Sequence, residues 1–143
     1  MSHKEMVAGI QLVGQVLVAA WLAWDLANGG LAGATVPSVA VKLLWVIGAA
    51  IVFSIVATIL ATIVVSMARR EEFKDEPADE RDVLIEARSQ KWNAYVTSSL
   101  AALALVPLAL GADPVMAAYA LFGAPMIGGT VNAIYQIYAY RVS

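Results

Sequence analysis

Four long apolar stretches constrain this chain more than any other feature of its sequence. They cover about residues 6–26, 43–67, 92–110 and 115–140. A helix needs roughly 20 apolar residues to cross a hydrocarbon core of about 30 Å, and each stretch reaches or approaches that length. The chain is 61% hydrophobic and 14% charged, which leaves too little polar surface for a water-soluble domain. We therefore predict an all-α, polytopic membrane protein in which residues 1–143 form a single four-helix transmembrane domain.

The charge is concentrated in the connection between the second and third stretches. Residues 69–92 hold 14 of the chain's 20 Asp, Glu, Lys and Arg residues. Lys and Arg favour the cytoplasmic side of membrane proteins, and in a four-span topology only Lys42 falls on the side opposite this connection. Both termini and loop 68–91 are therefore predicted to be cytoplasmic. Aromatic residues at the headgroup level agree, and the predicted outer belt is Trp21, Trp24, Trp45 and Tyr119.

The charged loop has a helix signal of its own. The segment before Pro77 is expected to extend the second helix by a turn or two. After Pro77, Asp79 is a good N-cap, with Glu80 and Asp82 in the favoured first turn. Because no helix breaker separates this start from Trp92, the loop and the third membrane helix are predicted to form one continuous rod.

Acidic and basic side chains lie on different faces of this rod. Its acidic stripe has no opposite charge at the i,i+4 positions of the same helix, so its partner is expected elsewhere: Arg69, Arg70 or Lys74, a second copy, another protein or a cation. Four interpretations stay open: a solvated face, pairing with a second copy or another membrane or cytoplasmic protein, a divalent-cation site, and anionic lipid binding by the neighbouring basic residues. The predicted partner or oligomer contacts are Asp79, Asp82, Glu86, Arg81 and Arg88, with Asn93 on the acidic stripe.

The phrase DERDVLIEARSQKWNAYV resembles small bacterial inner-membrane proteins of unknown function, in which a cytoplasmic Asp-Glu-Arg motif introduces a later membrane helix. The matching residues are Asp79, Glu80, Arg81, Asp82, Ile85, Glu86 and Tyr95. The resemblance implies a multi-pass protein of the bacterial inner (plasma) membrane. It supplies a topology and no mechanism.

Uncharged polar side chains within the spans all lie in the half that faces the charged loop. On the second and fourth helices they recur every four residues among small residues, as in Ser54, Thr58 and Thr62. One interpretation is helix packing, because small residues allow close approach and hydroxyls or amides bond across the contact. The other is a vestibule open to the cytoplasm, and its predicted ligand-binding residues are Gln11, Gln15, Thr62, Asn132 and Gln136.

The sequence offers few groups for catalysis. It contains no Cys, its one histidine is His3, and the one acid within a span is Asp25, near the outer boundary, where Lys42 is expected to pair with it. We expect no enzyme, metal, cofactor or nucleic-acid partner. The predicted function is a self-associating structural, accessory or sensing module, a homodimer in the simplest case, that presents its charged loop to the cytoplasm. The alternative is a small multidrug-type or solute transporter, although proton coupling usually requires an ionisable residue at mid-depth.

Overall fold

The computed structural model describes residues 3–69 and 80–142, and these form four α-helices and no strand. The helices are α1 (His3–Ala27), α2 (Val36–Arg69), α3 (Glu80–Ala109) and α4 (Pro114–Val142). Each is long and apolar enough to cross a membrane. The predicted all-α, four-span architecture is confirmed.

The predicted rod is also present. Helix α3 begins at Glu80 and continues without interruption to Ala109, so the extension that precedes the third span and the span itself form a single helix. Glu80 and Asp82 occupy its first turn. Carboxylates there are stabilised by the exposed N–H groups and by the positive end of the helix dipole. The proposed N-cap Asp79 and the proposed extension of α2 past Arg69 lie outside the described residues.

Helix α2 begins at Val36, seven residues before the predicted start of its span. Two hydroxyl residues cap it reciprocally: the Thr35 N–H donates to Ser38 Oγ over 3.0 Å, and the Ser38 N–H donates to Thr35 Oγ1 over 3.4 Å. Pro37 lies in the first turn, where the helix does not need its missing N–H. The glycine- and proline-containing stretch therefore supplies a helix start, and the connection shortens to residues 28–35.

Helix α4 holds the bundle together. It contacts each of the other three helices and packs most extensively against α3, whereas within residues 3–69 and 80–142 helix α2 packs only against α1 and α4. The two antiparallel hairpins, α1–α2 and α3–α4, are thus joined mainly through one helix.

The end of the bundle formed by connections 28–35 and 110–113 is called the apolar end here. Its core consists of Val39, Leu43, Val115 and Tyr119, which are between 1% and 6% exposed. Half-buried side chains surround this cluster: Trp21, Leu22, Leu31, Ala34, Ala118 and Phe122. The opposite end, which carries the chain termini and the start of α3, is called the charged end.

The connection from α3 to α4 is short because both helix ends are capped locally. The Ala112 N–H donates to the Pro107 carbonyl over 2.9 Å, which requires a positive φ of 87° at Gly111. Asp113 then caps α4, since its Oδ1 accepts from the Val115 N–H over 2.9 Å. These caps bring α3 and α4 together as close antiparallel neighbours.

Candidate functional site

A ladder of polar side chains runs along the contact between α3 and α4. The Gln136 Nε2 donates to Ser89 Oγ over 3.0 Å, and the Ser89 hydroxyl donates to the Glu86 carbonyl over 2.9 Å. One turn further along α3, the Thr97 hydroxyl donates to Asn93 Oδ1 over 3.1 Å. Ser89 is completely buried. These bonds satisfy polar groups where lipid offers no partner.

Two consecutive glycines let polar side chains reach α4 from both sides. A Cβ added at Gly128 would meet the side-chain oxygens of Thr97 and Asn93, and would lie 3.0 Å from the Asn93 carbonyl. A Cβ at Gly129 would lie 2.6 Å from Gln15 Nε2 on α1. Because even alanine would displace these neighbours, the missing side chains are what allow α1 and α3 to approach α4 so closely at this depth.

Two amide oxygens beside these glycines are buried and have no hydrogen-bond donor within the described structure. They are Gln15 Oε1 and Asn132 Oδ1. A buried carbonyl left without a donor costs roughly 1–3 kcal/mol. Each oxygen is an acceptor that suits water or the N–H or O–H group of a small ligand.

The structure assembles only part of the predicted vestibule. Gln15 reaches α4 at Gly129, Gln136 bonds to Ser89 of α3, and Asn132 lies between Gly129 and Gln136 along α4. Gln11 is exposed on the molecular surface. Thr62 donates its hydroxyl to the Thr58 carbonyl over 2.9 Å, so it is satisfied within α2.

At the apolar end, three helices meet in an ion pair with an added hydroxyl. The Lys42 Nζ donates to both carboxylate oxygens of Asp25, at 3.0 and 2.7 Å, as the sequence predicts. The Tyr119 hydroxyl donates to Asp25 Oδ2 over 2.7 Å, and the Lys42 ammonium lies 5.5 Å from the centre of the Tyr119 ring. A Cβ at Gly30 would collide with the Asp25 carboxylate, so the loop also closes over the pair.

Tyr119 was expected in the outer aromatic belt, and in the structure it faces the interior of the bundle. Its ring is 6% exposed and belongs to the apolar core, while its hydroxyl binds Asp25. An aromatic residue near the end of a span looks the same in sequence whether it faces lipid or the bundle.

The charged end is closed by ion pairs within the chain. Lys4 Nζ lies 3.0 Å from Asp82 Oδ2, and Arg141 Nε lies 3.0 Å from Glu5 Oε1. The partner of Asp82 is thus a lysine of α1, a residue that was not among the expected candidates. The pairs connect the start of α1 to the start of α3 and to the end of α4.

The other predicted contact residues have different environments. Glu86 and Arg88 are exposed, and Glu86 accepts a bond from Gln90 over 3.2 Å. Arg81 also makes an interaction within the structure. Asn93 is turned into the α3–α4 contact, so the acidic stripe is not a single solvated face. Asp79 lies outside the described residues.

These features define the chain as a four-helix, multi-pass membrane protein whose helices are joined by polar side chains at both ends and at one depth between them. Within residues 3–69 and 80–142, no three His, Asp or Glu side chains come together as metal ligands. Comparison of the chain with protein-family models, curated proteins and solved structures gives no match. Function has to be inferred from the geometry.

Proposed function

We propose that this chain is a non-enzymatic integral membrane protein of the bacterial inner membrane, a self-associating structural, accessory or sensing module. In this proposal both termini and the charged loop are cytoplasmic. The observation that carries self-association is the environment of α2. Its two buried residues in the described part are Val39 and Leu43, and none of residues 44–67 is buried.

The exposed part of α2 is not uniformly apolar. Ser54, Thr58, Thr62 and Ser66 follow one another at four-residue intervals and are only half-buried. We call this row the hydroxyl ridge. Apolar side chains need no cover in lipid, but hydroxyls and small residues favour contact with another helix, because they allow close approach and bonds across it. A second copy related by a two-fold axis would bring two such ridges together.

The chain contains no Cys, so single introduced cysteines test this contact directly. We expect Thr58→Cys and Thr62→Cys to form disulfide-linked dimers when native membranes are oxidised. The matched controls are Ile59→Cys and Ile63→Cys, which lie about 100° around the same helix at nearly the same depth. Equal cross-linking at all four positions, or none at the ridge, would contradict the proposal.

The loop contribution is tested by charge reversal. Glu86 and Arg88 are exposed at the charged end, where the loop of a second copy could reach them. Exposed ion pairs contribute at most about 1 kcal/mol, so Glu86→Lys should weaken association modestly, and adding Arg88→Glu should restore part of the loss. Molecular mass in nanodiscs at two salt concentrations measures both effects. A dimer indifferent to each reversal would show that the loop does not contribute.

Orientation is tested by labelling from each side. An introduced cysteine replacing Ala32 should react with an impermeant reagent from the periplasmic side, and one replacing Glu80 should react only after the membrane is opened. The reverse pattern would overturn the cytoplasmic placement of the loop.

The two buried amide oxygens favour a second candidate, a solute transporter with a vestibule open to the cytoplasm. They provide acceptors for a ligand, but the apolar end is closed by the core around Val39 and Leu43 and by the Asp25–Lys42 pair. We therefore expect liposomes containing the protein to show no proton, sodium or cationic-dye flux above control. A flux that Asn132→Leu abolishes would make the transporter the better proposal.

A further inference from the structure

A groove of about 570 Å³ lies between α1 and α2 on the surface that faces lipid. Its walls are almost entirely apolar and include Leu17, Trp21, Trp45 and Ala49. Lys42 lines it at the apolar end. At the other extreme the Phe53 ring packs on Gly14, with ring atoms 3.5 Å from the position of an added Cβ.

The length of the groove matches one leaflet of a bilayer. From Lys42 to Phe53 the helix advances eleven residues, which corresponds to roughly 16 Å at about 1.5 Å per residue. Half of a hydrocarbon core of about 30 Å is roughly 15 Å. The groove thus runs from the level of the lipid headgroups to about the middle of the membrane.

The polar group at the mouth of the groove is a cation. The Lys42 side chain is 32% exposed and lines the groove, whereas Asp25 is 13% exposed and does not. The ammonium bonds to Asp25 and lies against Tyr119, and the part of the side chain that stays exposed lines the groove, where an anionic group can approach it. Trp21 and Trp45 flank the same level, where indoles favour the headgroup region.

We propose that the groove is a binding site for one phospholipid, with an acyl chain between α1 and α2 and the phosphate beside Lys42. The anionic phosphate complements the exposed ammonium, and the chain fills a slot of matching length that offers apolar contacts. Because Asp25 balances the charge of Lys42, the site recognises the phosphate without selecting a net anionic headgroup. Phosphatidylglycerol and phosphatidylethanolamine should therefore bind alike.

The proposal is tested by substitutions that fill the groove and by measuring how much lipid the protein retains. The full chain is reconstituted with phosphatidylglycerol and phosphatidylethanolamine, released gently into detergent and weighed by native mass spectrometry. We expect one phospholipid per chain for the wild type, and roughly tenfold lower retention for Ala49→Phe and Leu17→Phe, whose rings occupy the slot. The matched control is Ala20→Phe, since Ala20 is exposed on α1 and does not line the groove.

Two further measurements test whether the phosphate is required and whether the groove variants remain folded. Diacylglycerol of the same chain length, which lacks the phosphate, should be retained roughly tenfold less than either phospholipid. Circular dichroism establishes that the two groove variants keep their helices, and either one alone suffices for the test. Equal lipid retention in the groove variants and in Ala20→Phe would overturn the proposal. It would equally be overturned if Ala49→Phe left lipid retention intact and, when combined with Thr58→Cys, abolished disulfide-linked dimers, because the occupant would then be a second copy.

Discussion

The Tyr119 hydroxyl joins α4 to the ion pair of α1 and α2, and its removal should have a measurable cost. Tyr119→Phe keeps the buried ring and deletes only the group that donates to Asp25 Oδ2 over 2.7 Å. A hydrogen bond to a charged group contributes roughly 1.5–3 kcal/mol. Asp25 keeps both contacts from Lys42, and this lysine is 32% exposed, so we expect a loss at the low end, about 1.5–2 kcal/mol.

The assay is unfolding by SDS in mixed micelles, followed by circular dichroism. The control is Tyr138→Phe, because that ring is exposed and the change should cost less than about 0.5 kcal/mol. Both variants remove one hydroxyl from a tyrosine of α4, so their difference measures the contacts of the Tyr119 hydroxyl with Asp25 and, over 3.4 Å, with the Gly30 carbonyl.

A double-mutant cycle tests the cause. In an Asp25→Leu background the tyrosine hydroxyl keeps only its long 3.4 Å contact with the Gly30 carbonyl, so Tyr119→Phe should change stability by less than about 0.5 kcal/mol. The reasoning would be refuted by the same cost in both backgrounds, or by a cost in the wild type no larger than that of the control.

Three other changes should act through contacts already described. Gly128→Ala should destabilise the bundle by about 1–3 kcal/mol through overpacking against α3, whereas Gly123→Ala, which has open space around its Cβ position, should not; the same SDS titration measures both. Ser89→Ala removes the acceptor of the half-buried Gln136 amide of α4 and should cost about 0.5–1.5 kcal/mol, detected as an earlier unfolding midpoint. Lys4→Glu should lower the free energy of unfolding by at most about 1 kcal/mol at low salt, and adding Asp82→Lys should restore the lost stability. No change in either variant would show that this pair does not contribute to stability.

The spans and the rod were predictable because they depend on local sequence. Length and hydropathy identify the four helices, and the absence of a breaker after Glu80 predicts the continuous α3. The ion pair between Asp25 and Lys42 was predictable as well, since they flank the same connection and have few other charges nearby. Only the start of α2 was misplaced, because the cap formed by Thr35 and Ser38 was counted as part of the loop.

The site was harder to predict because it depends on how distant helices align. Tyr119 is separated from Asp25 by 94 residues, and Lys4 from Asp82 by most of the chain. Sequence periodicity identifies a polar face on α4 but does not say which helix supplies its partners. Ser89 and Asn93 lie four residues apart, which was a usable signal, yet Asn93 was assigned to the acidic stripe of the loop helix.

The central position of α4 has a consequence for how the protein is made. This helix is the last of the four to leave the ribosome, yet it contacts all the others and completes both the apolar core and the bond to Asp25. The first hairpin can insert early with its ion pair formed, but Asp25 receives its bond from the Tyr119 hydroxyl only after α4 has been synthesised. Chains truncated before residue 114 should therefore persist in the membrane with a protease-sensitive α3 apart from the first hairpin, and full protection should appear only when α4 has entered the bilayer.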